Sequence, residues 1–416
     1  VSPNTLPDLR AHEYQQRQEA HRLRRLLHEQ SDPDAFQDAF DELLKAESKL
    51  SSVSAERAIA QRADPHASGQ ILDNTAHDPA YLGVETTGLE TKVHLRMAQL
   101  PTSICHLLGP DENPLVTCWV KNAKKIHDDG GIRRLRMTSY IDGWSARAVD
   151  TVELKLDKDH SFDQFPTLFR DRLQELTELT RATLNVMLED LDTGRIELHK
   201  TYPIWLLART TVPFAVQDPM MAEWQDLTRY YGAFVTPHVA AVEEFLSKAR
   251  QYHPDKQFRG SQEGASVELQ VEALYNALKS EVDLGYVNSI ISFSPEEGTL
   301  NQRVRLPRKS LKLGVANCID GTVLFASLLE AISLNPAIVS VPGHTFLAWE
   351  TKVPAQPWRY LETTKIADHD FEQACKFGKI QATGYEALKN QSGDESLFRR
   401  WPLRELRSVH RVFPME

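Results

Sequence analysis

Apolar residues early in the chain recur at three- and four-residue intervals: Leu23, Leu26 and Leu27 first, then Phe36, Phe40, Leu43 and Leu44. That spacing predicts one apolar face on each of two helices. Between them lies Ser31-Asp-Pro-Asp34, where Ser31 or Asp32 can cap the second helix and Pro33 suits its first turn. A helical hairpin over 1–63 follows, either a small adaptor or packing for what comes after it. Asp64 to Pro79 is turn-rich and poor in apolar residues, as a linker would be.

From about Tyr81 to Val216 the period changes to two. Lys92 to Leu100, Pro114 to Lys121, Arg134 to Ile141 and Trp144 to Leu156 are expected strands, with a turn at Asp142-Gly143. A helix is expected from about Phe162 to Asp190 on the spacing of Leu168, Leu173, Leu176 and Leu179, and a further strand over Pro203 to Thr211. Cys105 and His106, adjacent in a strand, would point to opposite faces and read as structural. After Pro219 helices return at Trp224 to Tyr231, Pro237 to Tyr252 and Val271 to Glu281. The expectation is an α+β protein: the hairpin at 1–63, a β-sandwich-like domain with an inserted helix at 80–218, and a C-terminal domain at 219–416.

Composition narrows the function classes. The chain has 416 residues, 41% of them hydrophobic and 25% charged, which suits two or three ordinary globular domains. A net charge of −10 gives no footprint for a phosphate backbone, so no nucleic-acid partner is expected. The basic runs Arg22 to Arg25 and Arg133 to Arg136 fall in amphipathic patterns and read as solvated faces. No apolar run approaches the ~20 residues that cross a bilayer, and no signal sequence is evident, so the expectation is a cytoplasmic protein without a membrane partner. The first residue is Val, which reads as a fragment or a processed product. Four scattered cysteines, Cys105, Cys118, Cys318 and Cys375, show no CxxC spacing. Neither a disulfide framework nor a zinc site is indicated, and His66 and His77 lack partners with metal-ligand spacing.

The chemistry concentrates in Gly314 to Thr364. Asn317-Cys318 precedes Ile319, Val323, Leu324, Leu328, Leu329 and Ile332, one apolar helical face, so Cys318 falls at a helix N-terminus. Unpaired N–H groups and the helix dipole favour a thiolate at such a place and can hold an oxyanion. Asn335-Pro336 ends the helix, Ala337 to Val341 reads as a buried strand, Pro342-Gly343 as a sharp turn, and His344 opens a second strand, HTFLAWE. A third strand, WRYLETT, spans Trp358 to Thr364 after the loop 353–357. If Glu350 faces Trp358 in an antiparallel pair, His344 and Glu362 share a face as diagonal neighbours; a slip of one residue would separate them. Cys318, His344 and Glu362 then form a nucleophile, base and orienting acid for acyl transfer. Glu350, Asp368 and Asp370 are alternative orienting acids.

The order GVANCID, helix, LNPAIVSVPGHTFLAW, then WRYLETT resembles the core of the transglutaminase-like, papain-like superfamily, and especially a bacterial branch of cysteine proteases. The resemblance covers Gly314 to Thr364 in detail and implies Cys318 as nucleophile, His344 as general base and Glu362 as orienting acid. The family usually has Asp where this chain has Glu362. Asp320 matches an acid often found two residues after the cysteine, with an expected electrostatic role at the helix start. Tyr286 and Asn288 are candidates for a further oxyanion donor. The expected activity is proteolysis of a protein or peptide substrate through a thioester, with no cofactor and no metal. Amine transfer is the less favoured outcome, and a non-catalytic scaffold for protein interaction is the alternative. A third reading is an effector protease regulated by its N-terminal portion, with a regulatory protein partner engaging the hairpin or the β-rich domain.

Overall fold

The computed structural model describes residues 6–63, 88–111, 113–123, 131–217, 224–262, 264–287 and 299–416. The hairpin consists of α1 (Leu6–Glu29) and α2 (Pro33–Ala63). Asp32 starts α2, its side chain accepting from the N–H groups of Asp34 and Ala35 at 3.0 Å each, with Pro33 at the first helical position.

A β-rich unit follows. Its strands are β1 (Leu89–Leu95), β2 (Gln99–Leu100), β3 (Val116–Asn122), β4 (Arg133–Ile141), β5 (Ala148–Leu154), β6 (Asp159–Gln164), β7 (Thr180–Asp190) and β8 (Arg195–Leu206), with a short α3 (Arg170–Gln174). They form a three-stranded sheet, β1-β3-β6, and a five-stranded sheet, β2-β8-β7-β4-β5. Val116 and Val120 from the first and Leu135, Leu184, Val186 and Ile204 from the second are fully buried in one core.

The expected helix from Phe162 to Asp190 is not formed. Its first residues belong to β6, α3 covers only five residues, and the rest is β7. The deciding pattern is Ala182, Leu184, Val186 and Leu188, buried at alternate positions; of the leucines at helical spacing before them, Leu168 and Leu176 pack on the core, Leu173 is buried in α3 and Leu179 is exposed. The strand expected at Pro203 to Thr211 is the end of β8 followed by a new strand, β9 (Thr211–Gln217). Cys105 and His106 lie in a 3-10 turn rather than a strand.

The remaining elements are β10 (Trp224–Asp226), α4 (Ala240–Ala249), α5 (Val267–Ala277), β11 (Gly285–Tyr286), β12 (Thr299–Arg303), α6 (Pro307–Leu313), β13 (Val315–Ala316), α7 (Cys318–Ala331), β14 (Pro336–Val341), β15 (His344–Glu350), β16 (Trp358–Leu361), α8 (Phe371–Ser392), β17 (Arg399–Pro402) and α9 (Leu403–Ser408). The helix expected at Trp224 to Tyr231 is instead β10 and a 3-10 stretch. At the centre is an antiparallel sheet in the order β16-β15-β14-β17. Every residue of β14 is buried, Ser340 among its apolar neighbours included.

The hairpin is not a separate part. Residues 1–69 and 213–416 make one compact unit and 70–212 another, so the chain divides in two rather than three. Phe36, Phe40 and Leu43 share a core with Val339 and Phe346 of the sheet and with Phe377 and Tyr385 of α8. Gly384 makes this contact close, since a Cβ there would lie 2.5 Å from Phe40 Cε1 and 2.8 Å from Leu44 Cδ1. The expected linker at 64–79, with His66 and His77, lies outside the described residues. Among the described residues, no helix is long and apolar enough to cross a membrane.

Candidate active site

Local rules fix where α7 begins. Helix α6 ends at Gly314, whose φ of +64° suits a left-handed cap; a side chain there would also press on Val282 O. The next two residues, β13, pair in parallel with β11, aligning Tyr286 with Ala316. Asn317 then caps α7. Its side chain accepts from Asp320 N at 2.8 Å, and its own N–H donates to Asp320 Oδ2 at 3.2 Å, closing a reciprocal box. Arg305 adds two bonds to the Asp320 carboxylate, from its backbone N–H and its guanidinium, each 2.6 Å. Asp320 is thus fully occupied in holding the helix start, and Cys318 is the first residue of that helix. The Cys318 side chain is half-buried and so keeps solvent access. Of the other cysteines, Cys118 and Cys375 are buried, which pushes their thiols up to about 12, and burial raises Cys105 as well.

The sheet supplies the base. Val341 pairs with His344, so Pro342-Gly343 is a two-residue turn with φ +67° at the glycine. Strand β15 pairs with β16 in the register Glu350 to Trp358, Ala348 to Tyr360 and Leu347 to Leu361. Glu362 follows directly after β16, and on that register it projects to the same face as His344. His344 Nε2 lies 2.7 Å from Glu362 Oε2. An ionised carboxylate can only accept, so Nε2 carries a proton and donates it in this bond.

Glu362 is held from three further directions. Its Oε1 accepts from Thr364 N at 3.1 Å and Thr364 Oγ1 at 2.7 Å, and its Oε2 accepts from Gln381 Nε2 of α8 at 2.6 Å. Close packing at two glycines brings these elements together. A Cβ on Gly378 of α8 would lie 2.8 Å from Leu361 N and 3.0 Å from Glu362 N. A Cβ on Gly321, in the turn of α7 that follows Cys318, would lie 2.7 Å from Thr363 Oγ1.

Electrostatics follow from burial and charge together. Burial by itself would raise Glu362, yet the His344 charge and the bonds from His344, Thr364 and Gln381 hold it well below the usual carboxylate range. Burial would likewise depress His344, but the Glu362 carboxylate and the Cys318 thiol outweigh it, and the imidazole is raised. The second ring nitrogen, Nδ1, is buried and makes no hydrogen bond, while the Cys318 side chain is among the groups that raise this imidazole. Tyr286 is pushed up to about 12, first by burial and then by the charge at Cys318, and Tyr231 is raised for the same two reasons in the same order.

The three residues singled out from the sequence, Cys318, His344 and Glu362, are thus brought to one place. The alternative acids are elsewhere: Glu350 accepts from Asn335 Nδ2 at 2.9 Å, Asp370 caps α8 by accepting from Gln373 N at 2.8 Å, and Asp368 is exposed. Asn288 lies outside the described residues. Gln381, Thr364 and Tyr231 escaped the sequence reading. The signal for Gln381 is its helical face, shared with Gly378 and Tyr385, where a polar residue stands in an otherwise buried stripe. Among the described residues, no group of His, Cys, Asp and Glu side chains is arranged to hold a metal ion. No protein-family model matches the chain, and no curated protein matches it either.

Proposed function

We propose that this protein is a cysteine-dependent acyl-transfer enzyme, most readily a peptidase, and that the region after Pro213 has a transglutaminase-like fold while the β-rich unit is sandwich-like. The observation that carries the reading is the buried His344–Glu362 pair, 2.7 Å apart, with a solvent-accessible Cys318 thiol acting on the same imidazole. A purely binding scaffold has no need of a carboxylate-oriented imidazole beside an accessible thiol.

The chemistry proceeds in two displacements. The Cys318 thiol passes its proton to His344 Nδ1, and Sγ attacks the substrate carbonyl carbon to give a tetrahedral oxyanion. The N–H groups at the start of α7 and the Tyr286 hydroxyl are the donors assigned to that oxyanion. As the C–N bond breaks, the imidazolium returns the proton to the departing amine, leaving a thioester on Cys318. Water then loses a proton to His344 and attacks the thioester, and the thiol and a carboxylic acid are regenerated. Glu362 stays ionised throughout and keeps the imidazole in the tautomer with its proton on Nε2. An amine in place of water would give transfer rather than hydrolysis by the same steps.

The test is the rate of Cys318 alkylation by iodoacetamide against pH, read by peptide mass spectrometry in the native chain and in His344→Ala. Selective labelling of Cys318 that persists below neutral pH and is lost in the variant is expected. Slow labelling indifferent to His344 would overturn the catalytic reading.

A further inference from the structure

The hairpin reaches the site through its turn. His28, at the end of α1, places its ring edge-on to His344, with centroids 5.1 Å apart and planes at 68°. Its ring also stacks on Tyr286 at 6.1 Å and 24°. One residue of the N-terminal hairpin therefore contacts both His344 and Tyr286, the two side chains whose titration also responds to Cys318.

The placement of His28 is held by a built set of contacts. A helix leaves its last carbonyls without intrahelical partners, and here the segment just after Glu362 supplies partners for the end of α1. Lys365 Nζ, on a largely buried side chain, donates to His28 O at 3.1 Å and to Gln30 O at 2.6 Å. His369 Nε2 lies 2.8 Å from Ser31 O. One turn before His28, Arg24 lies against Gly343, where a Cβ would approach its guanidinium to 3.0 Å, and it pairs with the buried Glu47. The turn that precedes His344 and the loop that carries Glu362 are therefore both seated against α1. Crowding out of water and then the charge of His344 push His28 below its ordinary value. His28 keeps exposed surface, so water moderates the shift, and the group remains neutral near pH 7, facing His344, Glu362 and Lys365.

We propose that the active site is composite, with His28 of the N-terminal hairpin serving as a positioning residue that holds the His344 ring in line with Cys318. This rests on the catalytic reading above. A ring packed edge-on restricts rotation of the imidazole about its side-chain bonds, and only one orientation directs Nδ1 at the thiol while Nε2 meets Glu362. The contact works through ring shape and not through a proton, so a phenyl ring can replace it.

The experiment measures the pH profile of Cys318 alkylation in the full chain for the native protein, His28→Ala, His28→Phe and His344→Ala, with a thermal melt of each. His28→Ala is expected to slow labelling at pH 6 by roughly ten- to hundredfold, the cost of a misplaced reacting group, while His28→Phe restores a rate close to native. An unchanged profile in His28→Ala overturns the proposal. Faster labelling overturns it too, since it marks His28 as a cover. Should His28→Ala fail to fold, His28→Gln, which keeps bulk without a ring, decides: slowed labelling supports the proposal and a native profile overturns it. A native profile that ignores His344→Ala is a different failure, that of the catalytic reading itself.

Discussion

Glu362 and His344 form a buried pair through which the candidate site contributes to stability. Folding lowers the proton affinity of Glu362 relative to an ordinary carboxylate near 4.5, so its contribution is present above that pH and is lost as the pH falls toward 2. Folding raises the affinity of His344 above the ordinary 6.5, so its contribution is full below that pH and is lost as the pH rises through the elevated value. The pair therefore stabilises most between about pH 4.5 and pH 6.5. Glu362→Gln is expected to flatten the acid limb of a urea-midpoint profile between pH 4.5 and pH 2, and to slow any acyl transfer by on the order of 10²–10⁴-fold. A variant with the native acid limb would mean that Glu362 titrates as an exposed carboxylate does. The Glu362 carboxylate is gripped at both oxygens, by Thr364 at Oε1 and by Gln381 at the Oε2 that also meets His344.

Among the elements, α8 is the one that assembles the site. Its Gly378 receives the end of β16, where Glu362 N donates to Ala374 O at 3.1 Å, and its Gly384 receives Phe40 of α2. The two glycines meet different kinds of obstacle. Gly378→Ala drives a methyl group into backbone, which cannot rotate away, so Glu362 must move and His344-dependent labelling of Cys318 should be lost. Gly384→Ala meets side-chain ends in a packed core and is expected to cost about 1–3 kcal/mol in urea unfolding. Equal effects of the two on labelling would show that α8 does not set the position of Glu362.

For the whole molecule, the consequence is that the hairpin belongs to the candidate catalytic unit. Phe40 is fully buried among Phe36, Tyr385 and the sheet residues. Phe40→Ala should cost about 3–5 kcal/mol, and a chain starting near Pro219 should lose cooperative unfolding because the buried faces of β14, β15 and α8 would meet water. Sharp, native-like melting of that shortened chain would show the hairpin to be dispensable. Such a chain therefore cannot report on regulation of the intact protein, whereas single changes at His28 leave the core in place.

Much of the site was legible in the sequence because short-range rules govern it. The Asn317 cap and the apolar face after it set Cys318 at a helix start, and the register assumed from the sequence, Glu350 opposite Trp358, is the one the sheet adopts, which puts His344 and Glu362 on one face. The β7 strand was misread because leucines at 168–179 mimic a helical stripe, and local spacing does not reveal that Leu168 and Leu176 pack on a core built from two sheets while Leu179 stays exposed. Contacts distant in sequence were decided by tertiary structure alone. Lys365 bonding to Gln30, Gln381 to Glu362 and His28 packing on His344 have no local signature. Each exists because α8 and the hairpin bury their apolar faces on the same sheet. The sequence by itself determined which groups could react and where each sits on its own element; the packing of distant elements determined what surrounds them, since burial and charge depend on neighbours that no local pattern encodes.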